Sequence, residues 1–331
     1  MFPTSTQCKY WMFSNEEEIN RLREKANAKH IQIYGRQAPP DIPKFEYFLT
    51  PEEEKIMVKR YELHLRDFCK RFQPPMPRYV IGTSFHYFKR FYIHNSVMNY
   101  HPKEVMVTCI YLACKVEEFN VSIQQFVANI KGDRDKATDI ILNNELLLME
   151  QLNFHLSIHN PYRPVEGLLI DIKTRTNLHD PERLRSGTEH FLERTLLTDA
   201  VLLYSPSQVA LAAVLHAASK LQENLDSYVT DTLFGVDQRD RLHELIEAVR
   251  AIRSMVKMTD TVQGKNQQKL LDKKLDRCRN PENNPDSEIY KKRMQALLDE
   301  DDEGYQAISA QNMTMDSSAL NMSITGSPGV P

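Results

Sequence analysis

Two charged residues, Lys115 and Glu145, interrupt two of the most apolar stretches of the chain. Lys115 follows the run 105–114, which is too continuous for a half-exposed strand and too long for a buried one, so it predicts a helix buried on nearly all sides. Glu145 precedes a second apolar run, 146–149. Burying an unpaired charge is costly, so each charge is expected where the core meets a binding partner. On spacing alone the simpler interpretation is favoured, a solvated lysine at a helix C-terminus and an unrelated surface glutamate.

Composition favours an all-helical chain of two domains, or of one repeated unit with tails. Only 10 of the 331 residues are glycine, well below the roughly 7% of average usage. The chain has no Asn-Gly or Asp-Gly hairpin signal and little period-two alternation. Its hydrophobic content of 41% is enough for a core.

Charge, cysteine usage and motifs exclude several classes of protein. The net charge of −3 and the pI near 6.4 give no general attraction to nucleic acid. The five cysteines form no C-x-x-C pair, which favours a reducing compartment and supports no zinc site. No apolar run suggests a signal peptide or a membrane span. The sequence contains no catalytic motif. We therefore expect that the protein binds no cofactor and no metal ion and that it is not an enzyme.

Helix starts are marked by capping boxes, in which the cap hydroxyl and the third helical side chain satisfy free backbone amides. Four such boxes begin at Ser14, Thr50, Ser122 and Ser205. Together with prolines at first helical positions, they predict an N-terminal helix at 14–29 and two sets of five helices. The first set is 50–72, 77–94, 101–118, 122–130 and 134–153, and the second is 160–175, 180–197, 205–221, 227–234 and 237–255.

The predicted organisation has five parts. Residues 1–49 hold the N-terminal helix and a proline linker, 50–157 the first helical domain, 158–256 the second, and 257–279 a C-terminal helix. Residues 280–331 are rich in Asn, Ser, Asp and Met, and we expect a disordered tail with at most a helical turn or two near 288–298.

Three segments resemble the cyclin box: PRYVIGTSFHYFKRFYIHNSV, HPKEVMVTCIYLACKVEEFNV and LLLMEQLNFHLSIHNPYRP. The chain is thereby identified as a member of the cyclin family, over about residues 10–278. The resemblance implies that Lys115 and Glu145 hydrogen-bond backbone groups beside the C-helix of a kinase. It also implies that Met149, Phe154 and Leu156 pack on that helix. Only the first domain carries this pair, since the second has Ser219-Lys220-Leu221 at the corresponding place.

The resemblance implies a non-catalytic regulatory subunit that activates a cyclin-dependent kinase by positioning its C-helix. Among cyclins, the chain is most similar to the cyclin subunit of the CDK-activating kinase. This implies a RING-finger assembly subunit, the TFIIH core, a nuclear location, and as substrates kinase activation loops and the RNA polymerase II C-terminal domain. Direct binding to nucleic acid or to a membrane is not expected.

Three alternatives remain at this point. One is another transcriptional cyclin, such as cyclin C. The second is a DNA-binding cyclin-fold factor resembling TFIIB, which should bring a zinc ribbon and a basic face that the chain lacks. The third is an all-helical enzyme, which a stoichiometrically bound metal ion would support. The chain also departs from cell-cycle cyclins, because EEEKIMVKRYELHLRDF contains no MRAIL motif and Lys89-Arg90 replaces their Asp-Arg. Recruitment of substrates through the MRAIL patch is therefore not expected.

Overall fold

The computed structural model describes residues 2–176, 178, 180–234, 239–260 and 265–296, and these contain helices and no strand. The α-helices are α1 Thr6–Tyr10, α2 Glu16–Tyr34, α3 Lys44–Tyr47, α4 Pro51–Arg71, α5 Arg78–His94, α6 Pro102–Val116, α7 Ile123–Val127, α8 Arg134–Gln151, α9 Tyr162–Arg175, α10 Arg185–Thr195, α11 Ala200–Leu203, α12 Pro206–Lys220, α13 Arg239–Lys257 and α14 Lys265–Cys278. Short 3-10 helices lie at Phe2–Thr4, Gly35–Gln37, Pro181–Leu184, Met258–Asp260 and Pro281–Asn283, and a π-helix at Tyr228–Phe234.

The predicted all-α architecture is confirmed, and three of the four capping boxes are present, at Thr50, Ser122 and Ser205. The fourth prediction was wrong by one residue. Asn15, not Ser14, caps α2, because its side chain accepts from the Glu18 amide at 2.8 Å. Helix α2 also continues to Tyr34, five residues beyond its predicted end.

In the first set of five helices, α4 to α8, the other four helices pack around the central helix α6. Ten of its fifteen residues are buried, which explains why its sequence shows no polar face. The second set, α9, α10, α12, the π-helix and α13, forms its own apolar cluster around α12. Gly187 lets α10 approach α12 closely, since a Cβ placed on it would lie 3.0 Å from the Ala217 side chain.

An ion cluster joins α2, α4 and α5 to Asp199, which lies in the turn between α10 and α11. Arg23 on α2 donates to both carboxylate oxygens of Asp199, at 2.7 and 3.1 Å. Lys89 on α5 is fully buried, hydrogen-bonds Glu62 on α4 and lies 3.6 Å from Asp199. Lys89 is therefore part of the interior.

Helix α14 lies within the predicted segment 257–279 and adds Leu271, Leu275 and Cys278 to the first core. The compact unit that contains both cores ends at Arg279. The segment that follows has a helix over 288–296, where the sequence allowed a helical turn or two. The rest of the predicted tail, 297–331, lies outside the described residues.

Candidate functional site

Lys115 and Glu145 lie at the surface and form a salt bridge with each other. The Lys115 Nζ is 2.6 Å from Oε1 and 2.8 Å from Oε2 of Glu145. The Lys115 side chain is 47% exposed, and that of Glu145 is 15% exposed. The ammonium also lies 5.2 Å from the centre of the Tyr111 ring. Our expectation of two separate, unpaired charges was wrong, because the last turn of α6 faces the middle of α8 and places the two groups together.

Helix α8 carries apolar side chains on its exposed face as well as on its buried one. Ile141 and Leu148 are buried, whereas Leu142 is 47% and Leu146 is 56% exposed. Met149, three residues after Leu146, is half-buried. Residues 142, 146 and 149 share one helix face by their spacing.

Phe154 is presented by a sharp reversal of the chain after α8. Asn153 and Phe154 both have left-handed backbone conformations, with φ of 51° and 56°. The Phe154 amide donates to the Met149 carbonyl at 2.9 Å, and the Leu156 amide donates to the Phe154 carbonyl at 3.0 Å. The Phe154 ring is left 58% exposed, and Leu156 is half-buried. We refer to Leu142, Leu146, Met149, Phe154 and Leu156 together as the α8 patch.

The turn at 154–156 is held from α5 by hydrogen bonds to its carbonyls. The Tyr87 hydroxyl donates to the Leu156 carbonyl at 2.5 Å, and Arg90 donates to the His155 carbonyl at 3.1 Å. Arg90 is buried without a carboxylate, and its desolvation lowers its pKa to about 9. Its guanidinium lies over the Trp11 ring, 4.9 Å from the ring centre, which partly compensates for the buried charge.

Residues near the N-terminus also contact the segment that connects the two sets of helices, and they help to hold this segment in place. Trp11 Nε1 donates to His155 Nδ1 at 3.1 Å, and the Tyr10 ring stacks on His155 at 5.0 Å. The Gln7 side chain accepts from the His159 amide at 2.7 Å. We refer to residues 2–13 as the N-terminal strap. Its contacts give His155 and His159 structural partners.

Sequence reasoning had identified five residues here, and the structure brings Lys115 together with Glu145, and Met149 together with Phe154 and Leu156 through the backbone bonds of the turn. It missed Leu142, Leu146 and the N-terminal strap. The exposed leucines could have been found, because 142, 146 and 149 repeat at helical spacing outside the buried set. The strap could not, since no local pattern connects Trp11 to a residue 144 positions away.

Comparison with known proteins identifies the family. A family model for the cyclin N-terminal domain matches residues 39–157, and one for the cyclin C-terminal domain matches residues 160–257. Cyclin-H of Xenopus laevis is 44% identical over 286 residues, covering 85% of this chain and 88% of that protein. The chain belongs to the cyclin family. A probable cyclin-H of Echinococcus multilocularis is 33% identical, covering 87% of this chain and 95% of that protein.

Solved structures agree with this assignment. A chain from the CAK complex of Chaetomium thermophilum bound to ATP-γ-S superposes with a TM-score of 0.76 at 26% identity, covering 91% of this chain and 94% of that one. A chain from the yeast TFIIK complex superposes with a TM-score of 0.60 at 26% identity, covering 77% of this chain and 99% of that one. All residues of the α8 patch, with Lys115 and Glu145, fall in the part matched by the cyclin N-terminal domain.

Metal binding and membrane insertion find no support in the described part of the chain. There, no group of three or more His, Cys, Asp or Glu side chains is arranged to hold a metal ion. No helix among the same residues is both long and apolar enough to cross a membrane.

His86 is buried beside Lys89 and Arg90, where desolvation and the two neighbouring cations lower its pKa well below the usual value.

Proposed function

We propose that this cyclin is the regulatory subunit of a cyclin-dependent kinase, acting in the CDK-activating kinase complex of TFIIH. The relatives named cyclin-H and the similarity to chains of the CAK and TFIIK complexes support this proposal. The observation that carries it in the molecule itself is the α8 patch beside the Lys115–Glu145 pair. Exposed leucine and phenylalanine side chains of this kind mark a protein interface.

The paired charges are suited to binding backbone groups of a partner helix. A lysine ammonium has three N–H donors, and Lys115 uses two of them on Glu145. The third can donate to a carbonyl, and the carboxylate retains lone pairs for an amide N–H. The pair can therefore bind a carbonyl and an amide of the kinase without separating, so neither charge has to be buried alone.

The proposed mechanism is the positioning of the kinase C-helix. A protein kinase is active only when the glutamate of that helix pairs with the lysine of strand β3, which holds the nucleotide phosphates. A surface that binds only the inward position of the helix shifts the kinase toward its active state by the difference in affinity for the two states. The cyclin needs no catalytic residue of its own for this role.

The complex would further contain a RING-finger assembly subunit and contact the TFIIH core, and it would act in the nucleus. Its substrates would be the activation loops of cyclin-dependent kinases and the RNA polymerase II C-terminal domain. Affinity purification from nuclear extract, followed by identification of the kinase that copurifies, separates this proposal from the alternative of a cyclin C-like subunit. Recovery of a kinase other than the CDK-activating kinase would contradict the assignment to that complex.

Lys115→Ala and Glu145→Ala test the binding surface directly. Each should weaken kinase affinity by about ten- to 150-fold, since hydrogen bonds to charged groups contribute roughly 1.5–3 kcal/mol. Lys103→Ala is a matched control, because Lys103 is an exposed lysine at the other end of α6. Calorimetric titration of the kinase gives the affinities, and circular dichroism verifies the fold. Unchanged affinity of both variants would contradict the proposed interface.

A further inference from the structure

A cavity of about 360 Å³ lies on helix α4, between the N-terminal helix α2 and the C-terminal helix α14. Its apolar walls include the half-buried Ile56 and Leu63 of α4 and the buried Leu271 of α14. The α8 patch, Lys115 and Glu145 contribute nothing to its lining. The cavity is therefore a feature separate from the proposed kinase-binding surface.

Positive charge is in excess in the ion cluster at one wall of this cavity, which Arg23, Lys59, Glu62 and Asp199 line and behind which Lys89 is buried. The cluster of Arg23, Lys59, Lys89, Glu62 and Asp199 contains three cations and two carboxylates. Arg23 occupies both oxygens of Asp199, and Lys89 hydrogen-bonds Oε1 of Glu62. The Lys59 Nζ is left to share Glu62 through Oε2, at 3.3 Å. One positive charge in this group has no carboxylate of its own.

Lys59 is the group that can bind an external anion. Its side chain is 40% exposed, whereas that of Lys89 is fully buried. Burial and the neighbouring Lys89 both lower the pKa of Lys59, while Glu62 raises it. Lys55, four residues earlier on α4, is exposed, and its contact with Asn20 Oδ1 is a long 3.4 Å. Lys55 and Lys59 thus place two ammonium groups on one face of α4, beside the apolar part of the cavity.

We propose that this cavity binds an acidic peptide segment of a partner protein. A carboxylate of the segment would pair with Lys59, and an adjacent aliphatic side chain would occupy the space between Ile56, Leu63 and Leu271. The complementary charge selects this ligand, because a carboxylate neutralises the surplus positive charge while a neutral or basic segment leaves it uncompensated. The proposal goes beyond the proposed function and does not depend on it.

N-acetyl-leucine provides the smallest probe, since it combines one carboxylate with one aliphatic side chain, and N-acetyl-leucinamide is its uncharged match. Methyl NMR of the full chain, labelled at isoleucine and leucine, reports binding at Ile56, Leu63 and Leu271. The acid should shift these three methyl signals and bind about tenfold tighter than the amide, the effect of one charge-assisted hydrogen bond. Equal binding of acid and amide, or no shift with either up to its solubility limit, would overturn the proposal.

Lys59→Gln should abolish the preference for the acid and weaken its binding about tenfold, while the remaining methyl spectrum shows that the fold is intact. Lys70→Gln is the matched control, because Lys70 lies on the same helix outside the cavity and pairs with Glu193. It should bind the acid as the natural chain does. If Lys59→Gln keeps the preference, or if both variants lose it equally, Lys59 does not bind the carboxylate and the proposal fails.

Discussion

Replacing Phe154 with alanine separates the stability of the cyclin from its affinity for the kinase. The ring is 58% exposed in the free chain, so less than half of its surface contributes to folding. Since full burial of a phenylalanine stabilises a protein by about 1.5–3 kcal/mol, the substitution should lower the free energy of unfolding by about 1 kcal/mol. A core phenylalanine would instead cost about 3–5 kcal/mol.

Binding should suffer more than folding. An aromatic side chain buries about 200 Å², so the 58% that is exposed leaves about 115 Å² for a partner to cover. At about 25 cal/mol per Å² this corresponds to about 3 kcal/mol, or roughly a hundredfold in affinity. The ratio of the two effects, not their absolute size, distinguishes an interface residue from a core residue.

Urea unfolding of the free chain and calorimetric titration of the kinase measure the two effects separately. Ile170→Ala is the matched control, because Ile170 is 64% exposed and lies on α9 in the second set of helices. It should change neither quantity appreciably. A Phe154→Ala protein that unfolds early in urea yet binds the kinase normally once folded would refute the role of Phe154 in the interface.

Three further predictions concern the interior and the strap. Lys89→Met should lower the free energy of unfolding by about 3–5 kcal/mol, because Glu62 is left buried and without its main partner. In urea melts, adding Glu62→Leu should restore most of that loss. Burial raises the pKa of Glu54 to about 7 against the hydrogen bonds from Ser96 and Asn27. The contribution of Glu54 to stability should therefore be greatest below its unfolded pKa near 4.5 and be lost as the pH rises through 7, by up to about 3 kcal/mol. In melts recorded from pH 4 to 8, Glu54→Gln should remove this part of the pH dependence. Deleting residues 1–12 should leave helicity intact but weaken kinase binding in calorimetry, because the strap holds the turn that presents Phe154; full affinity would exclude this role.

The helices were predictable because the signals that specify them are local. Thr50, Ser122 and Ser205 each satisfy free amides within four residues of sequence, so the capping pattern is complete in a short window. The same locality explains the error at Ser14, where both Ser14 and Asn15 are competent caps and the geometry selects the asparagine. Helix α1 was missed because its five residues contain no apolar repeat.

The site was predictable only in part, since its residues are brought together by tertiary structure. Family resemblance singled out Lys115, Glu145 and Phe154 as candidates but gave no indication that the first two pair with each other across 30 residues. The ion cluster that includes Lys89 depends on Asp199, more than one hundred positions away. Sequence patterns report the burial of a helix face, whereas the partner of a buried charge is fixed by packing between helices.

The turn after α8 is already formed in the free chain, which the proposed kinase-binding role of Phe154 requires. Two consecutive left-handed residues, Asn153 and Phe154, cost roughly 1–2 kcal/mol each. The hydrogen bonds to the turn from Tyr87, Arg90 and Trp11 contribute about 0.5–1.5 kcal/mol each, which is enough to offset that strain. Because the turn is already fixed in the free chain, its ordering does not have to be supplied by the binding energy of the kinase. Under the proposed function, that energy remains available to favour the inward position of the kinase C-helix.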